Sequence, residues 1–345
     1  MYRGILMKNP YESVKNILQS VNDESLPETQ TGAFTSIYLY GNAVHQKEGK
    51  QFHLENETGT GEVSLYRVFP GIELAYNDMH MAYCNKEQGR TSDVMEINYC
   101  KEGRSECLFG EYQYCYMAAG DLSFCSLQDY AHQSEFPTSH YHGITITINF
   151  QAVTEEMRSV LELLSVDLDR IKELSKMREF VIIRADQTVE HIFSELYKVP
   201  EKIRYGYIRV KVLELLLVLT GLDLEKEKSN HVHFPKAQIE VVKEIHEFLI
   251  KHYKEHYTID DLSERFDLSP TVMKKCFKGV YGDSIYAYMK RYRLQVAERL
   301  LKESTFTIGE IATQIGYQNP NKFTSAFCDE YGMPPTAYRK VSPNG

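Results

Sequence analysis

No apolar run in the 345 residues is long enough to cross a bilayer. The most apolar stretch, Val212 to Leu222, is short and carries Glu214. The N-terminus lacks the basic-then-apolar order of a secretory leader, so a soluble, cytoplasmic chain is expected. It has no Cys-x-x-Cys pair, and its seven cysteines are odd in number: Cys84, Cys100, Cys107, Cys115, Cys125, Cys276 and Cys328. That argues against a disulfide scaffold or a zinc ribbon. Buried thiols in a reducing compartment are the expected state, with a redox sensor among the five N-terminal cysteines as the alternative. No Gly-rich phosphate loop and no Ser-His-Asp arrangement stands out. No cysteine adjoins a His, and only Cys100 and Cys276 have a basic neighbour, Lys101 and Lys275, so an enzyme is not expected. Positive charge is also short, with 39 Lys+Arg against 48 Asp+Glu and a net charge of -9. The deficit is uneven. Residues 236–345 hold 16 basic and 14 acidic residues, and the remainder 23 and 34. A nucleic-acid site belongs in the C-terminal part, where non-specific affinity should be modest and salt-sensitive.

What is present is a duplication. The run from Thr258 is repeated from Thr307: Thr258, Ile259 and Leu262 match Thr307, Ile308 and Ile311. After one inserted residue Pro270, Met273, Phe277, Tyr281, Gly282 and Tyr288 match Pro320, Phe323, Phe327, Tyr331, Gly332 and Tyr338. Two copies make a duplicated unit, not a solenoid. In each copy a short apolar helical face (Ile259, Leu262, Phe266; Ile308, Ile311, Ile315) is followed by a cap, Ser269 or Asn319, with Pro at the first helical position. A second helix then stops at Gly282 or Gly332. Two short helices across a tight turn form a helix-turn-helix, predicted here over 258–281 and 307–331.

The outward faces of the second helices carry the chemistry. Thr271, Lys274, Lys275 and Lys278 lie on one, and Asn321, Lys322, Thr324 and Ser325 on the other. Thr271, Lys274 and Lys275 share a face opposite Met273 and Phe277 by their spacing. These side chains can read base edges or hold phosphates. The bland reading is a pair of solvated helix faces. Between the copies Ser284 caps a helix from Ile285 to Glu303, roughly 28 Å at 1.5 Å per residue. That is close to the roughly 34 Å between successive major grooves. Lys290, Arg291 and Arg293 near its start are placed to reach a phosphate backbone.

Thr258 to Lys340 resembles the DNA-binding domain of the AraC/XylS transcription regulators. The residues that carry this are Arg293-Leu294-Gln295-Val296-Ala297 to Leu300-Leu301, Ile308 to Gly316-Tyr317, Phe323, Phe327, and Gly332-Met333-Pro334-Pro335 to Tyr338-Arg339. The resemblance implies that each recognition helix enters its own major groove. It also implies that Thr271, Lys274, Lys275, Asn321 and Ser325 fall at base-contacting positions, with Lys322 beside them. Phosphate contacts fall to Lys278, Lys290, Arg291 and Thr324. A Lys usually follows the second Phe; copy one keeps Lys278, whereas copy two has Cys328, Asp329 and Glu330. The second lobe should therefore grip phosphates more weakly.

The expected fold class is α+β and multidomain. Residues 1–60 read as a partly irregular extension, with a helix near Tyr11 to Val21 and a loop from Gly49 to Gly61. Residues 61–150 have period two and frequent turn signals, which predicts an antiparallel β-barrel or jelly roll, with a hairpin at Lys101-Glu102-Gly103-Arg104. The Ala119-Gly120-Asp121-Leu122 turn and the strand order resemble a cupin sensor domain. A small barrel can enclose a ligand, and the candidate contacts are Glu96, Asn98, Tyr112, His140 and His142. His140 and His142 suggest a metal clamp by spacing, but no carboxylate completes a set, so no metal and no cofactor is expected. His231-x-His233 lies in a linker.

Residues 151–222 read as helical, with an extended piece near Arg178 to Ile183. Ile208 to Leu222 is apolar around most of its circumference and must be buried on several sides, inside the chain or against a second copy. Residues 223–236 read as the linker and 237–342 as the DNA-binding domain, whose first helix spans Ile239 to Tyr253. The partners implied are promoter DNA and a small-molecule effector. RNA polymerase and a second copy of the chain are further candidates, and no membrane is expected. The rival function, an enzyme with an accessory DNA-binding module, requires an activated Cys or a metal cluster.

Overall fold

The computed structural model describes residues 42–46, 49–85, 93–109, 112–126, 133–176, 181–223 and 232–341. The helix expected near Tyr11 to Val21 lies outside them, as do His231 and most of the linker. The chain divides into two units, Met1–His233 and Phe234–Gly345.

The first unit is built on antiparallel strands. β1 (Asn42–Gln46), β2 (Gly49–Asn56), β3 (Gly59–Phe69) and β4 (Ile72–His80) follow one another as a meander. The segment expected as a loop from Gly49 to Gly61 is therefore mostly strand, turning at Glu57-Thr58. Its Phe52 and Leu54 alternate with polar residues and are buried. Next come β5 (Tyr83–Asn85), β6 (Val94–Phe109), β7 (Gln113–Ala118), β8 (Asp121–Ser126), β9 (Gln133–Glu135) and β10 (Tyr141–Asn149). β10 sits between β4 and β6, and β6 also pairs with β8.

The hairpin expected at 101–104 does not form. β6 runs through it as one strand of 16 residues. Gly103 has φ 81, and a Cβ there would overlap the His140 carbonyl oxygen. The β6–β10 register slips at this point, between His142 and Gly143. A glycine in this conformation reads locally as a turn, but it also permits a bulge that re-aims a strand. Before Gly103, β6 pairs with β10 and β8; beyond it, Arg104 to Phe109 pair with β7 in a second, smaller sheet that includes β5 and β9.

One face of the large sheet carries Ile72, Leu74, Ile97, Ile144, Ile146 and Ile148. It is covered by α1 (Glu155–Leu163), α2 (Leu168–Lys176), α3 (Gln187–Leu196) and α4 (Arg204–Thr220). The extended piece is β11 (Val181–Arg184), paired with β8. Tyr99 stacks on Phe193 with centroids 4.2 Å apart, joining the sheet to α3. A second apolar cluster lies between the large sheet (Phe52, Val63, Leu65, Ala75) and the small one (Cys107, Cys115, Met117).

The second unit is helical: α5 (Lys236–Lys251), α6 (Ile259–Phe266), α7 (Pro270–Tyr281), α8 (Ile285–Glu303), α9 (Ile308–Gln314), α10 (Pro320–Tyr331) and α11 (Pro335–Val341). α8 buries two stripes, Ile285, Met289 and Val296 on one and Leu294, Ala297 and Leu301 on the other. No helix among the described residues is long and apolar enough to cross a membrane.

Candidate nucleic-acid interface

The duplicated sequence folds twice into the same local structure. Thr258 and Thr307 each close a capping box, with Asp261 and Glu310 returning the bond. Ser269 caps α7 and Asn319 caps α10, each ahead of Pro at the first turn. Both helices end on a left-handed glycine, Gly282 at φ 84 and Gly332 at φ 71. The turns inside the two motifs also correspond: Asp267 at φ 48 in the first and Gly316 at φ 84 in the second. α7 buries Met273, Cys276, Phe277 and Val280, and α10 buries Phe323, Ala326 and Phe327.

That burial fixes what faces outward. Thr271, Lys274, Lys275 and Lys278 on α7 are exposed, as are Asn321, Lys322 and Ser325 on α10; Thr324 is half-buried. Each of these two helices therefore offers one polar face, with its apolar face held by the core. α7 presents three ammonium groups and a hydroxyl. α10 presents one ammonium, an amide and a hydroxyl, with Asp329 and Glu330 exposed near its end.

Comparison with known proteins agrees with this geometry. Residues 262–341 match the family described as helix-turn-helix domain. The C-terminal region is a helix-turn-helix domain, similar to that of a putative AraC-like transcription regulator of Streptomyces lividans, which is 33% identical over 84 residues, 24% of this chain and 28% of its own. YisR of Bacillus subtilis, an uncharacterized HTH-type transcriptional regulator, is 33% identical over 120 residues, covering 35% of this chain and 41% of its own. ExsA of Pseudomonas aeruginosa, an HTH-type transcriptional regulator, is 30% identical over 99 residues, 29% of this chain and 36% of its own. The chain thus spans about two fifths of the length of these curated relatives. Fatty-acid-bound ToxT from Vibrio cholerae aligns with 84% of this chain and 99% of its own at 12% identity, with a TM-score of 0.31. That score is too low to define a shared fold.

Within the helix-turn-helix domain the basic residues of α8 do not act alike. Lys290 and Arg291 are half-buried, and Arg291 is engaged by Asp283 at 2.6 Å. Arg293 is only 7% exposed and is not available to a phosphate. It donates from Nε to the Tyr253 carbonyl at 2.6 Å and from Nη2 to the Glu255 carbonyl at 2.7 Å. The expectation that it reaches the DNA backbone is corrected accordingly. The sequence held a signal for this: Arg293 lies four residues after Met289 and three before Val296, inside the apolar stripe.

Each lobe of the helix-turn-helix domain is pinned by an aromatic triad. Phe277, Tyr281 and Tyr288 pack together in the first, and Phe327, Tyr331 and Tyr338 in the second. His246 of α5 stacks on Tyr281, and burial pushes its imidazole down to about 4. It is therefore neutral beside Tyr288 at ordinary pH.

In the first unit the five candidate ligand contacts do not converge. Glu96 and Asn98 are buried on the face of β6 turned away from the helices. His142 lies on the helix-covered side, edge-on to Tyr197, and burial lowers its basicity. His140 precedes β10 and packs against His80 with centroids 5.1 Å apart. Tyr112 is 73% exposed in the turn before β7. Among the described residues no group of His, Cys, Asp and Glu is placed to hold a metal ion.

What Glu96 and Asn98 do join is a polar row that sequence reasoning did not single out. Thr147 pairs with Glu73 on one side and Glu96 on the other; Thr145 pairs with Ala75 and Asn98, and Asn98 with Ser123. Thr145 donates to Asn98 Oδ1 at 2.8 Å and receives the Asn77 amide at 2.9 Å. The Asn77 Oδ1, Ser123 Oγ and Thr147 Oγ1 atoms are buried without a protein partner. Strand parity placed them together; only knowing which strand neighbours which could reveal it.

Proposed function

We propose that the chain is a sequence-specific DNA-binding transcription regulator governed by a small-molecule effector, acting at the promoter that RNA polymerase uses. The observation that carries this is the pair of capped motifs, each exposing a polar recognition face of Lys, Asn, Ser and Thr side chains. Thr271, Lys274, Lys275, Asn321, Lys322 and Ser325 would meet bases. Lys278, Lys290, Arg291 and Thr324 would meet phosphates. Selection of duplexes from a random-sequence library by the full chain, followed by footprinting, tests it. Two protected elements about one helical turn apart are expected. Failure to enrich any sequence removes the reading.

The effector site we propose is the polar row of the large sheet: Asn77, Glu96, Asn98, Ser123, Thr145 and Thr147. A buried hydroxyl or amide without a partner costs about 1–3 kcal/mol, and a ligand rich in hydrogen-bonding groups would recover it. A thermal-shift screen of the full chain against sugars, aromatic acids, siderophores and bile acids tests this. A hit whose shift survives Asn98→Leu with Thr145→Val binds elsewhere.

A second copy of the chain is the partner we propose for the outer face of α4. Val210 and Leu217 are exposed at 60% and 46%, one heptad apart, and Gly206 stands in open space between them and Ile203. Sedimentation showing a strict monomer at micromolar concentration removes the dimer.

We read the chain as non-enzymatic. Burial pushes the Cys100 thiol up to about 12, and the neighbouring Cys115 thiol and burial push Cys107 up as well. Such thiols are poor nucleophiles.

A further inference from the structure

α8 is not the sole connection between the two lobes of the helix-turn-helix domain. The segment after α5, Tyr253 to His256, lies against the turn that follows α9. Lys254 Nζ donates to Gln314 Oε1 at 2.7 Å, and His256 Nε2 is 2.9 Å from the Gly316 carbonyl oxygen. Gly316 approaches so closely that a Cβ there would overlap the Lys254 carbonyl. Arg293 stands behind this contact. Besides its bonds to the Tyr253 and Glu255 carbonyls, its Nη1 is 3.3 Å from His256 Nδ1.

These partners dictate where the imidazole proton sits. A guanidinium only donates, so His256 Nδ1 must accept. A carbonyl only accepts, so Nε2 must carry the hydrogen given to Gly316. With these partners Nε2 gives the hydrogen and Nδ1 accepts. An imidazolium would point a second N–H at the Arg293 cation. The surrounding groups do not offset this. Lys254 adds positive charge on the same segment, and the Glu255 carboxylate is engaged by Tyr257 and His252. From the elements packed against it, Tyr286 of α8 and Tyr317 after the turn face Arg293, and burial raises the Tyr317 hydroxyl.

We propose that Arg293, His256 and the Gly316 carbonyl form a clamp that sets the spacing of the two recognition helices. Its effect on DNA rests on the reading of the chain as a two-headed DNA-binding protein. His256 and Arg293 are positioning residues here: neither touches a base, and both act through the turn that launches α10.

The test uses the full chain with duplexes enriched from a random-sequence library, then rebuilt with one or two base pairs added or removed between the two elements. The wild type should discriminate spacing. His256→Lys, a permanent cation, should lose about tenfold of that discrimination while binding a single element within about twofold of wild type. His256→Gln, which can accept through Oε1 and donate through Nε2, should keep it. Equal profiles for wild type, H256K and H256Q overturn the clamp, whereas a wild type that enriches no duplex overturns the DNA reading. Hydrogen exchange decides the clamp in either case. Exchange of the Gln314–Tyr317 amides should rise about tenfold in H256K and not in H256Q; equal exchange in both overturns it.

Discussion

Tyr288 and Tyr338 occupy equivalent places in the two copies of the repeat, yet their hydroxyls meet different groups. Tyr288 lies 2.9 Å from His246 Nε2, and Tyr338 donates to Glu298 Oε1 at 2.7 Å. The duplication preserved the aromatic packing and let the polar partner diverge. One lobe closes on an imidazole from α5, and the other on a carboxylate from α8 that also receives Lys302. The first lobe is therefore the one whose stability should respond to mild acid.

The direction follows from His246. Burial holds its folded value near 4, whereas an unfolded histidine titrates near ~6.5. The unfolded chain thus binds more protons between these values. The contribution is fully present above about pH 6.5, is lost as pH falls toward 4, and changes no further below that. Its size is about 3 kcal/mol at most. Denaturant midpoints of wild type and His246→Gln, measured from pH 7.5 to 4.5, should show the steeper fall in wild type. Parallel curves would show that His246 is not the group responsible.

Gly316→Ala and Gly332→Ala should differ. Both glycines have positive φ, which costs an alanine roughly 1–2 kcal/mol. Only Gly316 also has the Lys254 carbonyl in the way; around Gly332 the space is open. At the position equivalent to Gly316 the first copy accommodates Asp267. G316A should therefore be the more destabilising by about 1 kcal/mol or more, read from chemical denaturation. Equal losses would mean that the loop before α6 yields freely.

The two capping boxes should act independently. Thr258→Ala and Thr307→Ala should each cost about 1 kcal/mol, and the double variant should lose the sum within about 0.5 kcal/mol. Urea denaturation checks both figures. A double variant no worse than either single one would place both caps in a segment already frayed.

The recognition faces should separate affinity from sequence preference. Lys274→Ala with Lys275→Ala should weaken binding to the selected duplex. Where either Lys meets a phosphate, the slope of log affinity against log salt should become shallower by about one for each phosphate no longer neutralised. Asn321→Ala should instead relax preference at one base position, at about 1–3 kcal/mol. Competition binding at several salt concentrations distinguishes the two. An unchanged footprint and affinity in the double Lys variant would show that α7 faces elsewhere.

The helix-turn-helix domain was largely legible because its signals are local. A cap, a proline at the first turn and a glycine at the stop each act within a few residues, and the duplication states them twice. The first unit was less legible for the opposite reason. Gly103 looks like a turn residue when read with its neighbours, and it is a bulge only because β10 and β7 are where they are. Glu96 and Asn98 were recognisable as polar residues on a strand. Their companions Asn77, Ser123 and Thr145 come from strands far apart in the chain.

From the chain alone follow the two motifs, the polar faces of α7 and α10, and the apolar stripes of the helix between them. Backbone capping and helical periodicity act over one or two turns and need no distant partner. Tertiary structure decided that Arg293 turns inward, that His256 meets Gly316, and that His142 lies on the opposite side of the sheet from Asn98. Each of these depends on which segments become neighbours, and long-range packing sets that, not local propensity.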